Sequence, residues 1–251
     1  MSAAKRFILV HGAGHGSWCW QKVIPFLESH GHSVLTVDLP GRKGKGQPGW
    51  GLSLRDYVDD LANTVNNEEG KVVLVGHSLA GMSISAVAER LPHKIERLVY
   101  LTAWVSMSGK NLAQLGRDNK GSELHHATDV AWLRGLVTIN MKGFREVFCA
   151  DCSDEVFAWA KDKLVPESFR TALGRIHLTV DRFGAVPTSY VRCANDKALT
   201  LAQQQRMLES IGCKRVITLP SSHSPFLSMP EQLAQALHQS IDDNVAMPGN
   251  S

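Results

Sequence analysis

A chain of 251 residues, 43% hydrophobic and 20% charged, has the make-up of an ordinary globular protein with one sizeable core. Its net charge of +3 comes from 27 Lys and Arg against 24 Asp and Glu spread along the whole length, too weak and diffuse a field to favour nucleic acid or an anionic membrane as a partner. No apolar run approaches a signal peptide or a membrane-spanning helix, and five scattered cysteines read as free thiols, so a reducing, cytoplasmic location is expected.

Short apolar runs at residues 7–10, 33–37, 71–75, 98–101, 189–193 and 215–219 read as buried parallel strands. Between them lie helical patterns. Residues 20–30 place Val23, Ile24 and Leu27 on one face, and residues 54–65 do the same with Tyr57, Val58 and Leu61. Residues 78–91 and 199–211 read as further helices, whereas the glycine-rich 41–51 reads as a solvated loop. The alternation predicts an α/β fold, a mostly parallel, doubly wound sheet. It stops at 107–176, which is rich in large apolar residues such as Trp132, Phe144 and Trp159 and shows no strand signal. This predicts a helical cap at 107–176 inserted into a core of 1–106 and 177–244, with 245–251 a disordered tail. Cys149 and Cys152 make a lone C-x-x-C, which reads as two cap or core thiols. No group has metal-ligand spacing, and neither a metal nor another cofactor is expected.

The stretch VVLVGHSLAGMS, residues 72–83, runs from a strand into a helix through a serine with small neighbours. A sharp strand-to-helix turn crowds the backbone, so Gly76 and Ala80 suit the two positions beside Ser78 where side chains would collide. Such a turn is a nucleophile elbow, lifting the Ser78 hydroxyl above the C-terminal edge of the sheet. The pattern departs from G-x-S-x-G only in Ala80. A serine nucleophile needs a base, and the base an orienting acid. Of the eleven histidines, His30, His32 and His93 precede strands at the opposite edge, His125 and His126 fall in the cap with His177 at its end, and His238 is on the last helix. His223 follows the last strand, on the same edge as the elbow. Asp196 follows the strand 189–193 on that edge too, while Thr102, Ala103 and Trp104, after the strand 98–101, offer no carboxylate. The glycine turn after the first strand places the N–H of Ala13, with that of Leu79, to serve as an oxyanion hole.

The segments around residues 7–41, 72–104, 181–197 and 221–233 resemble the plant methylesterase and hydroxynitrile lyase group of α/β-hydrolases and its bacterial pyrethroid-hydrolase-like carboxylesterases. The resemblance implies that fold, with the cap inserted after the sixth strand of the family's sheet. It carries Ser78, Asp196 and His223 over as a triad and Ala13 and Leu79 as oxyanion donors. It covers both halves of the core; the cap matches poorly. Two departures separate the chain from the lyases: Gly12 stands in place of their threonine, and Ser224 in place of the lysine after the histidine. Ester hydrolysis is therefore expected rather than cyanohydrin cleavage.

The expectation is a serine carboxylesterase acting through an acyl-enzyme on small to medium hydrophobic esters, aryl or alicyclic, with Gly12, His15, Trp18, Trp104, Trp132 and Ser224 around the substrate. Three other activities of the same fold stand beside it: a ligand receptor with slow turnover, a cofactor-free dioxygenase and a hydroxynitrile lyase. The partner expected is the small-molecule ester; the sequence leaves a homodimer open.

Overall fold

The structure, a computed structural model, describes residues 4–42, 45–105 and 109–242. Six strands, β1 (Arg6–Val10), β2 (Ser33–Val37), β3 (Val72–His77), β4 (Ile95–Leu101), β8 (Thr188–Cys193) and β9 (Arg215–Leu219), form a parallel sheet in the order β2-β1-β3-β4-β8-β9. Each predicted run falls on one of them. Because a strand sends alternate side chains to opposite faces, Ile8 and Val10 enter one core layer and Phe7 and Leu9 the other. All six residues of β3 are buried, as the centre of a doubly covered sheet requires.

Helices α2 (Leu54–Asn67) and α3 (Ala80–Arg90) cover one face, together with helix Leu201–Ser210; α1 (Ile24–Ser29) and helix Pro230–Ser240 cover the other. α2 begins at a capping box in which the Ser53 N–H donates to Asp56 Oδ2 at 2.7 Å. Its stripe of Leu54, Tyr57, Val58, Leu61 and Val65 is buried throughout, each side chain contributing about 1.5–3 kcal/mol. Parallel strands end at one edge. The loops after β1, β3, β4, β8 and β9 therefore gather there.

Between β4 and β8 the chain is not all helical. Strands β5 (Thr128–Ala131), β6 (Leu136–Ile139) and β7 (Glu167–Ser168) form an antiparallel sheet in that order, corrected against the expectation of helices alone. The hairpin turn passes through Gly135 at φ +64°, and the β-branched run LVTI of β6 pairs with β5. These strands are too short to show a period of two above the surrounding apolar residues.

Two further expectations are corrected. Cys149 and Cys152 are joined in a disulfide, leaving Cys19, Cys193 and Cys213 as free thiols. Residues 41–51 are not simply solvated, since Arg42 is 3% exposed and ion-paired. The residues 245–251, expected as a tail, lie outside the described residues. Among the described residues no helix is long and apolar enough to cross a membrane.

Candidate active site

Ser78 lies between β3 and α3 with φ +53°, one of two non-glycine residues in the left-handed region among those described; Thr102, at +35°, is the other. That conformation costs a side chain about 1–2 kcal/mol. Its backbone is held from three sides: the Ser78 N–H donates to the Leu101 carbonyl at 3.2 Å, and its carbonyl accepts from Gly81 at 3.1 Å and Trp104 at 3.0 Å. The steric demand of the turn falls on Gly76 and Gly81. A Cβ on Gly76 would sit 2.9 Å from Ile84 Cδ1, and one on Gly81 would sit 2.2 Å from the Trp104 carbonyl oxygen. Ala80 carries its methyl without difficulty, so the glycine displaced by one position in the sequence is the one the packing requires.

His223 Nε2 is 3.0 Å from Ser78 Oγ, and its Nδ1 is 2.6 Å from Asp196 Oδ2. All three residues are buried or nearly so. Asp196 is fully hydrogen-bonded: Oδ1 accepts from the N–H groups of Ala198 and Leu199, both at 2.8 Å, and Oδ2 also accepts from the Thr102 hydroxyl at 2.5 Å. Those bonds fix the orientation of the carboxylate towards His223 Nδ1. Thus Thr102, on the loop after β4, answers the acid on the loop after β8.

The base is fixed from behind as well. His77, the residue before the serine, donates from Nε2 to the His223 carbonyl at 2.9 Å. Burial, reinforced by His223 and His15, pushes its pKa well below the usual 6.5, so it remains neutral. The Ser222 N–H donates to Asp151 Oδ2 at 3.0 Å, tying the histidine loop to the four residues spanned by the disulfide. His77, Thr102 and Asp151 carried no signal in the sequence, because each acts through a partner at least 71 residues away.

A cavity of about 160 Å³ opens beside Ser78 and His223, with Ala13, Leu79 and Trp104 in its lining. Its other walls, including Leu124, Ile139, Phe148 and Phe169, come largely from the segment between β4 and β8 and are mostly apolar. The N–H groups of Ala13 and Leu79 have no partner among the described residues. Of the expected substrate contacts, only Trp104 lies in this lining. Gly12 is packed behind the elbow, where a Cβ would meet His77 Nδ1 at 2.7 Å and Ser78 Cβ at 2.8 Å. His15 is buried behind the loop, its Nδ1 donating to the Ala13 carbonyl at 2.9 Å, and burial lowers its pKa to about 4. Trp18 packs edge-on against Trp159. Trp132 is 62% exposed at the hairpin tip against Phe169. Ser224 is buried outside the cavity, its hydroxyl without a partner among the described residues. No group of three or more metal-ligating side chains occurs among the described residues.

The family model described as the alpha/beta hydrolase family matches residues 7–236. The chain is 32% identical to pyrethroid hydrolase of Sphingobium wenxiniae, across 94% of its own length and 87% of that protein. It is also 32% identical to salicylic acid-binding protein 2 of Nicotiana tabacum, across 94% and 97% of the two chains. Among solved structures it is similar to polyneuridine aldehyde esterase, with a TM-score of 0.82 at 27% identity, covering 96% of this chain and 100% of the other. A family match over most of the chain, with hydrolases and esterases as near full-length relatives, makes this protein a member of the alpha/beta hydrolase family and a carboxylic ester hydrolase.

Proposed function

We infer that the protein is a serine carboxylesterase that hydrolyses small to medium hydrophobic esters, aryl or alicyclic, through an acyl-enzyme. The contact chain Asp196–His223–Ser78, with distances of 2.6 and 3.0 Å, carries the reading. Ser78 Oγ attacks the ester carbonyl as His223 Nε2 takes its proton. Asp196 keeps the other ring proton on Nδ1 and stabilises the imidazolium that forms. The N–H groups of Ala13 and Leu79 donate to the developing oxyanion, and His223 returns the proton to the departing alcohol. Water, activated by the same histidine, then releases the acid. Every group in this route belongs to the chain, so the route calls for no cofactor.

The substrate class rests on the cavity. A dry apolar space of order 150 Å³ accepts about one aromatic ring, and about 160 Å³ is available here. The names of relatives that act on pyrethroids or polyneuridine aldehyde are compatible with an apolar ester. Ser224 is a neutral hydroxyl outside that space, and among the described residues no lysine or arginine lines the cavity beside Ser78 to receive a departing cyanide. Turnover of p-nitrophenyl and methyl esters graded in acyl and alcohol size tests the reading. Hydrolysis should peak with one ring-sized apolar group and cease in Ser78→Ala. Ser78-dependent cyanide release from mandelonitrile without ester hydrolysis would overturn it.

A further inference from the structure

Charged side chains are costly to bury, yet Arg42 and Glu167 are 3% and 4% exposed and meet at 2.6 Å between Nη2 and Oε2. A buried ion pair is weak means of stabilising a fold, since apolar residues of the same volume serve as well or better. Two further bonds of this pair reach the loop after β1. Glu167 Oε2 also accepts from the Gly14 N–H at 3.3 Å, and Arg42 Nε donates to the His15 carbonyl at 2.6 Å. The Val165 N–H donates to the Gly14 carbonyl at 2.9 Å, and His15 Nδ1 holds the Ala13 carbonyl. Tyr57 of α2 braces the pair, its hydroxyl donating to Glu167 Oε1 and accepting from Arg42 Nη1 at 3.3 Å. The loop carbonyls from Ala13 to His15 are therefore all engaged, while the Ala13 N–H is left unengaged at the cavity.

We propose that the Arg42–Glu167 pair is a positioning device for the oxyanion-hole loop, fixing the peptides of Gly14 and His15 so that the Ala13 N–H meets the developing oxyanion. The proposal rests on the reading of Ser78 as nucleophile and of Ala13 as donor. It spans three separate parts of the chain: Arg42 follows β2, Tyr57 belongs to α2, and Glu167 is in β7, inside the segment that walls the cavity. Arg42 also neutralises Glu167, which lines the cavity and would otherwise repel the oxyanion.

A field effect and a positioning effect give opposite signs in one variant. If only charge mattered, Arg42→Met would slow the enzyme, and Glu167→Gln, which leaves the cation, would match or exceed wild type. Positioning predicts that both fall. Displacing one oxyanion donor by about 1 Å costs on the order of 10–100-fold in kcat. KM should change by less than about threefold, because the ground-state carbonyl depends little on the hole. The inhibition constant of phenylboronic acid, whose tetrahedral adduct on serine occupies the same hole, should rise with the loss in kcat/KM. Melting curves at the assay temperature verify folding. Glu167→Gln with wild-type kcat and boronate affinity would overturn the proposal. Should Arg42→Met fail to fold, Arg42→Lys keeps the charge and loses the Nε bond to His15. It should show the same split, and unchanged kcat there would overturn the proposal equally. A wild-type turnover that survives Ser78→Ala would instead bring down the nucleophile reading itself, so the two failures are distinct.

Discussion

Gly12 offers the sharpest test of how the site is built, because its position in the structure differs from the one its sequence context suggests. A methyl on Gly12 would lie 2.7 Å from His77 Nδ1, 2.8 Å from Ser78 Cβ and 3.1 Å from the His77 carbonyl oxygen. An ordinary contact begins near 3.4 Å, so the first two must each lengthen by about 0.6–0.7 Å. Neither neighbour can yield freely. His77 is tied to the His223 carbonyl at 2.9 Å, and the Ser78 backbone is bonded at both its N–H and its carbonyl. Overpacking of this kind costs about 1–3 kcal/mol of stability. The same shift moves nucleophile and base relative to each other, for which a loss of about 10–100-fold in kcat is expected. The assay is steady-state hydrolysis by Gly12→Ala of two p-nitrophenyl esters, one small and one bulky, with urea denaturation alongside. The kcat loss should be equal for both esters, with KM nearly unchanged. A residue facing the substrate would behave otherwise, raising KM for the bulky ester and sparing the small one. Wild-type stability and kcat for the small ester would refute the packing argument.

Other consequences are open to similar tests. Thr102→Val keeps the shape and the left-handed strain of its position and removes the hydroxyl from Asp196. It should cost about 1.5–3 kcal/mol in urea unfolding and lower kcat, and equal stability would show that the bond is absent in solution. His15 and His32, with pKa values lowered to about 4, and His11 and His77, lowered well below the usual 6.5, are held neutral by burial. Because their folded values lie below the unfolded 6.5, the unfolded state binds more protons in between. Stability should therefore fall as the pH drops from about 6.5 towards 4, by up to about 1.4 kcal/mol per histidine per pH unit. Urea midpoints that stay level between pH 7 and 4.5 would contradict this. Dialysis against EDTA should leave turnover unchanged, and a loss restored by zinc would refute the serine route.

The sheet and the convergence of Ser78, Asp196 and His223 were legible because each is written locally. A β-branched run, a small-residue turn and a polar residue just past a strand end depend on neighbours in sequence, and parallel topology then brings the strand ends together. Gly12 was misplaced for the opposite reason: a glycine beside a pocket and one beneath a histidine look alike until packing is known. Arg42 sits in a run of glycines and lysines that suggests solvent, and its partner Glu167 is 125 residues away. The disulfide was not readable from spacing, since C-x-x-C serves thiols, metals and disulfides alike. The β5–β6 hairpin was lost among large apolar side chains, where strand and helix signals compete.

The central claim is that Ser78 carries the acyl group, and direct capture of the adduct tests it. The protein is treated with an aryl phosphonate or quenched in acid during turnover of a slow p-nitrophenyl ester, then digested and mapped by mass spectrometry. The account predicts stoichiometric modification on the peptide containing Ser78, abolished in Ser78→Ala together with a loss of about 10⁴–10⁶ in kcat. Modification of another residue, or retention of more than about a tenth of the wild-type rate by Ser78→Ala, would contradict it.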